Sequence, residues 1–302
     1  MRAPPAEIVY RPYSRGPHRM AMDLVSTPLT AWFEIDDRYF NEMIERRRLL
    51  AADRDAVFAA GPDSGVAREE ALTMIVDNLT TTHPDWFSRE AGGLRNHLTG
   101  ETWTAGSLDP LELAGRLVQE DLCVIHPTED GPIFTAAILC FPSRWRLWDK
   151  IGKPLAAVHG PVPLYADRLS RPVDRFFRSL KPDRIVERLN WSLLDDPTLF
   201  QPGGKWRDAS DDAITPDNVA DRVFLRVERQ TLRALPASGS VLFGIRVHVY
   251  PLSRVIGSAE QAATLAEAVR ALPAEIQHYK SLLVFRSALL SWLDETVDAT
   301  TA

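Results

Sequence analysis

The most distinctive chemistry-bearing residue of this chain is His159. It follows the apolar run Leu155-Ala-Ala-Val158 and opens Gly160-Pro-Val-Pro163, so Pro161 and Pro163 stiffen the backbone around an imidazole in apolar surroundings. A neutral imidazole presented from such a turn suits axial ligation of a haem iron with the opposite axial position open. His126, directly before Pro127, is a competing ligand, and His18, His83, His97, His248 and His278 form no HExxH pair. A histidine that only satisfies a core hydrogen bond fits the same local sequence, so spacing alone leaves both readings open.

A second set of candidates is spaced by two along apolar segments, where side chains of a strand alternate between faces. Over 222–233, Val223, Leu225 and Val227 fall on one face, while Arg226, Glu228 and Gln230 share the other. Arg188 and Asn190 fall together over 185–193, as do Arg246 and His248 over 241–250, where Gly244 leaves room for a bulky group. The solvated face of an antiparallel sheet would explain such patterns. However, the long segments on either side of this region could cover it, and covered Arg and Glu would need partners.

Several chemistries lose their support. The chain has no G-x-G-x-x-G after a strand, no Walker A loop, no G-x-S-x-G elbow and no HExxH, which removes the dinucleotide, NTPase, α/β-hydrolase and zincin signatures. Its two cysteines, Cys123 and Cys140, are too few for an iron–sulfur cluster or a structural zinc site and lie among apolar residues as buried thiols. A net charge of −6 gives no footprint for nucleic acid or an anionic membrane surface. Only five of the 35 basic residues are lysines, so most positive charge sits on planar forks suited to carboxylates. The N-terminus shows no apolar h-region and no run of 18 apolar residues occurs, which reads as a cytoplasmic, soluble protein.

The elements that must position these residues follow from periodicity. Residues 1–30 are rich in Pro and Gly and read as an irregular arm. One long amphipathic helix is expected from Asp36 to Gly61, a second over 66–79 and a third from Asp109-Pro110 to Glu120, which makes the first 120 residues mostly helical. Then come two strands near LCVIHP and IFTAAILCFP, helical pieces at 144–150 and 167–180, three strands at 185–193, 222–233 and 241–250, and C-terminal helices, the last over 275–297. This order predicts an α+β fold with a five-stranded antiparallel sheet at 121–252, a helical flank at 1–120 and C-terminal helices at 253–302, packed as one compact unit.

The segments Trp32-Phe-Glu-Ile-Asp36, Trp148-Asp-Lys-Ile-Gly152 with His159-Gly-Pro-Val-Pro163, Leu189-Asn-Trp191 with Asp196-Pro197, and Leu225-Arg-Val-Glu-Arg-Gln-Thr-Leu232 with Leu235-Pro236 resemble the haem-dependent oxidative N-demethylases, also known as DUF3445. The resemblance covers roughly 10–290 and implies a PAS-like core that holds haem b. It also implies a reaction in which O2 oxidatively removes a methyl group from a small secondary amine such as dimethylamine, releasing formaldehyde. His159 becomes the leading iron ligand, and Arg188, Arg226 or Arg229 become partners for the haem propionates, with Gly244 at the haem face. Glu228 is then expected to hold a cationic ammonium substrate by a charge-assisted hydrogen bond and to receive a proton, with a structural pairing to Arg226 or Arg188 as its alternative, and Asn190 or Gln230 to orient oxygen. Electrons would come from a reductase partner carrying the flavin, NAD(P)H or iron–sulfur centres that this chain has no motif to hold. A haem-binding gas or redox sensor, or a non-catalytic binding module, is the alternative on the same fold, and an oligomer is compatible with every one of these readings.

Overall fold

The computed structural model describes residues 2–15, 22–161 and 170–301. Ten strands occur among them: β1 Val25–Thr27, β2 Phe58–Ala60, β3 Phe87–Glu90, β4 Gly93–Asn96, β5 Glu101–Thr104, β6 Asp121–His126, β7 Ile133–Ile138, β8 Ile185–Leu194, β9 Phe224–Leu235 and β10 Ser240–Pro251. Seven form one antiparallel sheet in the order β1-β8-β9-β10-β6-β7-β2, and β3-β4-β5 form a separate three-stranded sheet. The helices used below are α1 Tyr39–Ala52, α2 Gly65–Thr82, α3 Pro110–Gly115, α4 Leu155–Val158, α5 Ser170–Ser179, α6 Ala259–Arg270, α7 Ala274–Tyr279 and α8 Arg286–Thr301. No helix among the described residues is long and apolar enough to cross a membrane.

The five expected strands are present and contiguous, but the sheet has seven, because β1 and β2 from the N-terminal segment add one to each edge. Each is three residues long, too short to show a period. The first 120 residues are also less helical than expected. The single helix expected to run to Gly61 stops at Ala52, because Asp53 leaves the helical region and its side chain accepts from the Ala56 amide, starting a new turn that leads into β2. The small sheet at 87–104 turns on Gly93, where a Cβ would stand 2.1 Å from the Trp103 carbonyl oxygen, so only glycine permits the approach of β4 to β5. The expected helix from Asp109 ends at Gly115, and that over 275–297 breaks at Ser281, which adopts a left-handed φ of 55°. The start of the helix expected near Asp167 lies outside the described residues, as do His18 and Pro163.

Alternation along β9 and β10 sorts the sheet into two faces. On the back, Val223, Leu225, Val227 and Tyr250 pack with Leu265 and Val269 of α6 and with Leu289 and Leu293 of α8. Further along the same face lie Arg229, Arg246 and His248, all buried, under α1 and the N-terminal arm. The Arg246 guanidinium donates to Asp36 (2.7 Å) and Glu42 (2.8 Å), and Gln119 bridges those carboxylates at 3.0 and 2.9 Å. His248 lies between Glu7 (3.2 Å) and Glu34 (2.9 Å). Nearby, Arg46 pairs with Asp121 at 3.1 Å, both fully buried, and Asp121 also accepts from the Cys140 and Phe141 amides at 2.8 and 2.7 Å.

A buried carboxylate stripped of its cation keeps its desolvation cost without compensation. Arg46→Met is therefore expected to lower the free energy of unfolding by about 3–5 kcal/mol, read from urea denaturation; a loss below about 1 kcal/mol would mean that Asp121 does not depend on this partner.

Candidate functional site

The front face of the sheet opens on a cavity of about 370 Å³, within the usual range of roughly 300–1,000 Å³ for small-molecule sites. Its floor is built by register. Asn190 of β8 stands opposite Glu228 of β9, and Arg188 opposite Gln230, so four polar side chains meet on one patch of sheet. Phe243 and Ile245 of β10 and Ile125 of β6 continue the floor as apolar surface. Both neighbouring amides turn to the Glu228 carboxylate: Gln230 Nε2 donates to its Oε2 at 2.8 Å and Asn190 Nδ2 to the same oxygen at 3.3 Å. Among the described residues, Oε1 is left for a donor from the cavity.

One wall carries His159. Its segment is tied to the start of β7 by three backbone hydrogen bonds, from Phe134 to the Lys153 carbonyl, from Gly152 to that of Phe134 and from Leu155 to that of Pro132. One turn of α4 then presents the histidine, whose own amide donates to the Leu155 carbonyl. The ring's Nδ1 lies 2.9 Å from the same oxygen. A carbonyl only accepts, so Nδ1 carries the proton and the lone pair sits on Nε2. Burial pushes the imidazole down to about 4, helped by the Lys150, Arg188 and Lys205 charges, which keeps it neutral at pH 7. Val173, Phe176 and Phe177 of α5 supply further apolar lining.

The other wall comes from the break that ends α7. Tyr279 and Lys280 line the cavity there, and Lys205 joins them from the loop between β8 and β9. The Lys280 ammonium donates to the Trp191 carbonyl and lies 5.2 Å from that indole's centroid. Burial brings both Lys205 and Lys280 down to about 8. Neither lysine, nor Arg188, has a carboxylate within salt-bridge distance among the described residues, and Arg188 Nε is buried without a hydrogen-bond partner. The cationic side chains here outnumber the carboxylates.

Of the residues singled out in the sequence, His159, Arg188, Asn190, Glu228 and Gln230 meet in this cavity, while Arg226, Arg229 and Gly244 do not. Arg226 shares the Glu228 face, but its guanidinium is taken up by the carbonyls of Phe141 (2.7 Å), Leu199 (3.1 Å) and Thr198 (3.2 Å). Arg229 faces the back and pairs with Glu187 (2.5 Å) and Glu34 (3.4 Å). Gly244 also faces the back, where a Cβ would stand 2.8 Å from Thr231 Oγ1; its missing side chain admits the neighbouring strand, not a ligand. His126 is exposed at the end of β6 and hydrogen-bonds Ser240 Oγ at 3.0 Å. Sequence reasoning missed Lys205, Tyr279 and Lys280, although lysine is rare enough here for Lys205 and Lys280 to carry a signal.

An apolar cavity on a sheet face, with one neutral imidazole and a surplus of cations, suits an anionic prosthetic group. The family model described as haem-dependent oxidative N-demethylase, alpha subunit-like, matches residues 23–290, and the chain belongs to that family. The donor set fits the haem in the family's name: a neutral Nε2 lone pair on His159 for iron, apolar walls for a macrocycle, and cations outside any ion pair for carboxylates. The alpha-subunit designation implies a partner subunit.

The tautomer and neutrality of His159 are open to direct test. Proton–nitrogen correlation spectra of the haem-free protein are expected to show an Nδ1–H imidazole that titrates near pH 4; a titration near 6.5, the ordinary value, would contradict its burial.

Proposed function

We propose that this chain is the haem-binding subunit of an oxidative N-demethylase acting on a small secondary amine such as dimethylamine. The observation that carries the reading is that His159, fixed as the neutral Nδ1–H tautomer, and Glu228, fixed by two amides, line the same cavity. The central strands β8-β9-β10-β6-β7, with short helices between β7 and β8, support a PAS-like core that takes haem b on its front face.

His159 Nε2 would hold the iron, and Arg188 and Lys280 would hold the propionates, replacing Arg226 and Arg229 in that role. When bound, the haem supplies the power to oxidise an N-methyl group with O2. The net change takes in a secondary amine, O2, two electrons and two protons, and gives a primary amine, formaldehyde and water. Electrons come from the partner, a reductase carrying flavin, NAD(P)H or iron–sulfur centres.

Glu228 accepts the amine N–H at its open oxygen and so points the methyl group toward the centre of the cavity. Asn190 and Gln230 hold the carboxylate in place, and their remaining amide atoms would orient oxygen. The Phe176, Phe177 and Phe243 rings exclude water from the reacting groups.

Wild-type protein is expected to show a Soret band and to release formaldehyde from dimethylamine when supplied with reductant and O2. His159→Ala should lose the normal spectrum. Glu228→Gln should keep it while kcat/KM falls by about a hundredfold. A colourless wild-type protein after growth with abundant haem would overturn the proposal.

A further inference from the structure

Lysine is scarce in this chain, which carries five lysines among its 35 basic residues. Three of them, Lys150, Lys205 and Lys280, line the cavity, whereas Lys153 and Lys181 are exposed. The other 30 basic residues are arginines. Lysine differs in one respect that matters inside a cavity: it can lose its proton near neutral pH and become a nucleophile, which a guanidinium cannot.

Lys205 has the setting of such an amine. Its loop is tied to the end of α7: the Ser281 hydroxyl donates to the Gly204 carbonyl at 3.2 Å and accepts from the Arg207 amide at 3.0 Å. Trp206, itself in the left-handed region at φ 64°, packs edge-on against Tyr279 with centroids 5.2 Å apart. These contacts place Lys205 Nζ 2.7 Å from the Tyr279 hydroxyl and 4.5 Å from the centre of its ring. Burial first, then the Lys150 and Arg144 charges, favour the neutral amine, against the opposing charge of Glu228. Burial and the Glu228 charge keep the Tyr279 phenol up at about 12, so it remains a proton donor. Desolvation beside other cations is the arrangement that activates lysines toward carbonyls.

We propose that Lys205 is a covalent carbonyl-capturing site, its amine adding to the formaldehyde released in the cavity with Tyr279 as proton donor. The nitrogen lone pair forms the N–C bond as the C–O π bond opens, and a proton passes from nitrogen to oxygen to give the carbinolamine. Tyr279 then protonates the departing hydroxyl, water leaves, and the nitrogen returns a proton to Tyr279 as the imine forms. Hydrolysis reverses the sequence, and no oxidant or reductant is consumed. The choice of aldehyde rests on the function proposed above; the reactivity of the amine does not, because added formaldehyde probes it without turnover.

The test uses the full chain as purified, exposed briefly to formaldehyde and cyanoborohydride at pH 7, with methylation of the five lysines followed by peptide mass spectrometry. At this pH roughly a tenth of an amine titrating at 8 is neutral, against under a thousandth at the ordinary 10.4. Lys205 is expected to be methylated at least about tenfold faster than Lys153 and Lys181, with a half-point near pH 8. Tyr279→Phe should slow Lys205 and leave Lys153 unchanged. Lys205 reacting no faster than the exposed lysines, in wild-type protein across this pH range, overturns the proposal. A Soret spectrum of the same preparation separates the two claims: haem without trapping sinks the lysine assignment, and trapping without haem sinks the demethylase reading.

Discussion

The rest of the structure depends on the burial of Arg246 behind the sheet. Its guanidinium has no exposure and is held between Asp36 and Glu42, so the arm and α1 are tied to the middle of β10. This contact also fixes which face of the sheet is which. Ile245 and Arg246 are adjacent, one lining the cavity and the other the ion network; a slip of one residue would send the charge into the cavity and a methyl-rich chain among carboxylates. Register on β10 propagates to β9 and from there to the Asn190–Glu228 and Arg188–Gln230 pairs. The back-face ion network therefore sets the geometry of the site on the front without touching it.

Electrostatics maintain that lock over a defined pH range. Burial alone would raise the Glu34 carboxyl, but the hydrogen bond from His248 and the Arg229 charge overcome it and bring the group down to about 2. A carboxylate with a lowered pKa contributes stability that is present above its unfolded value, about 4.3, and is lost as pH falls toward the folded value. His248 is shifted upward: burial and the Arg246 charge oppose its charged form, and the hydrogen bonds to Glu34 and Glu7 prevail. Its contribution is complete below about 6.5 and declines as pH rises through its folded pKa. Taken together, these two groups favour the closed back face most between about 4.3 and 6.5.

How much of this was legible in the sequence follows from which signals are local. The alternation between apolar positions such as Leu225 and polar ones such as Glu228 is a period-two signal that needs no partner; for Leu225, Arg226, Val227 and Glu228 it assigns faces as the structure has them. What lies above a face is a long-range property. Arg226 and Glu228 share a face, yet carbonyls from two distant loops absorb Arg226 while Glu228 stays in the cavity. The sequence presents Gly244 as room for a ligand, and the room is taken by Thr231 from the adjacent strand. The edge strands β1 and β2 carry too few residues to show a period. The helix expected over 275–297 has an unbroken apolar stripe, and its break at Ser281 is stabilised by contacts with Gly204 and Arg207, far away in sequence.

The charges around Glu228 constrain how an amine would enter. Arg188, Lys205 and Lys280 all act electrostatically on this carboxylate, and none has an acid within ion-pair distance among the described residues, although Asp23 acts on Arg188 more strongly than Glu228 does. Two propionates would offset Arg188 and Lys280, and one carboxylate in the cavity is then left against Lys205, with Lys150 adding further positive charge. A protonated dialkylammonium would meet no net attraction in such a site and would lose its hydration on entry. The neutral amine meets neither obstacle: its single N–H matches the one open oxygen of Glu228, and its lone pair stays available. On the demethylase reading the surplus of cations thus selects the free base, and Glu228 acts as a hydrogen-bond acceptor for the substrate instead of a counter-ion.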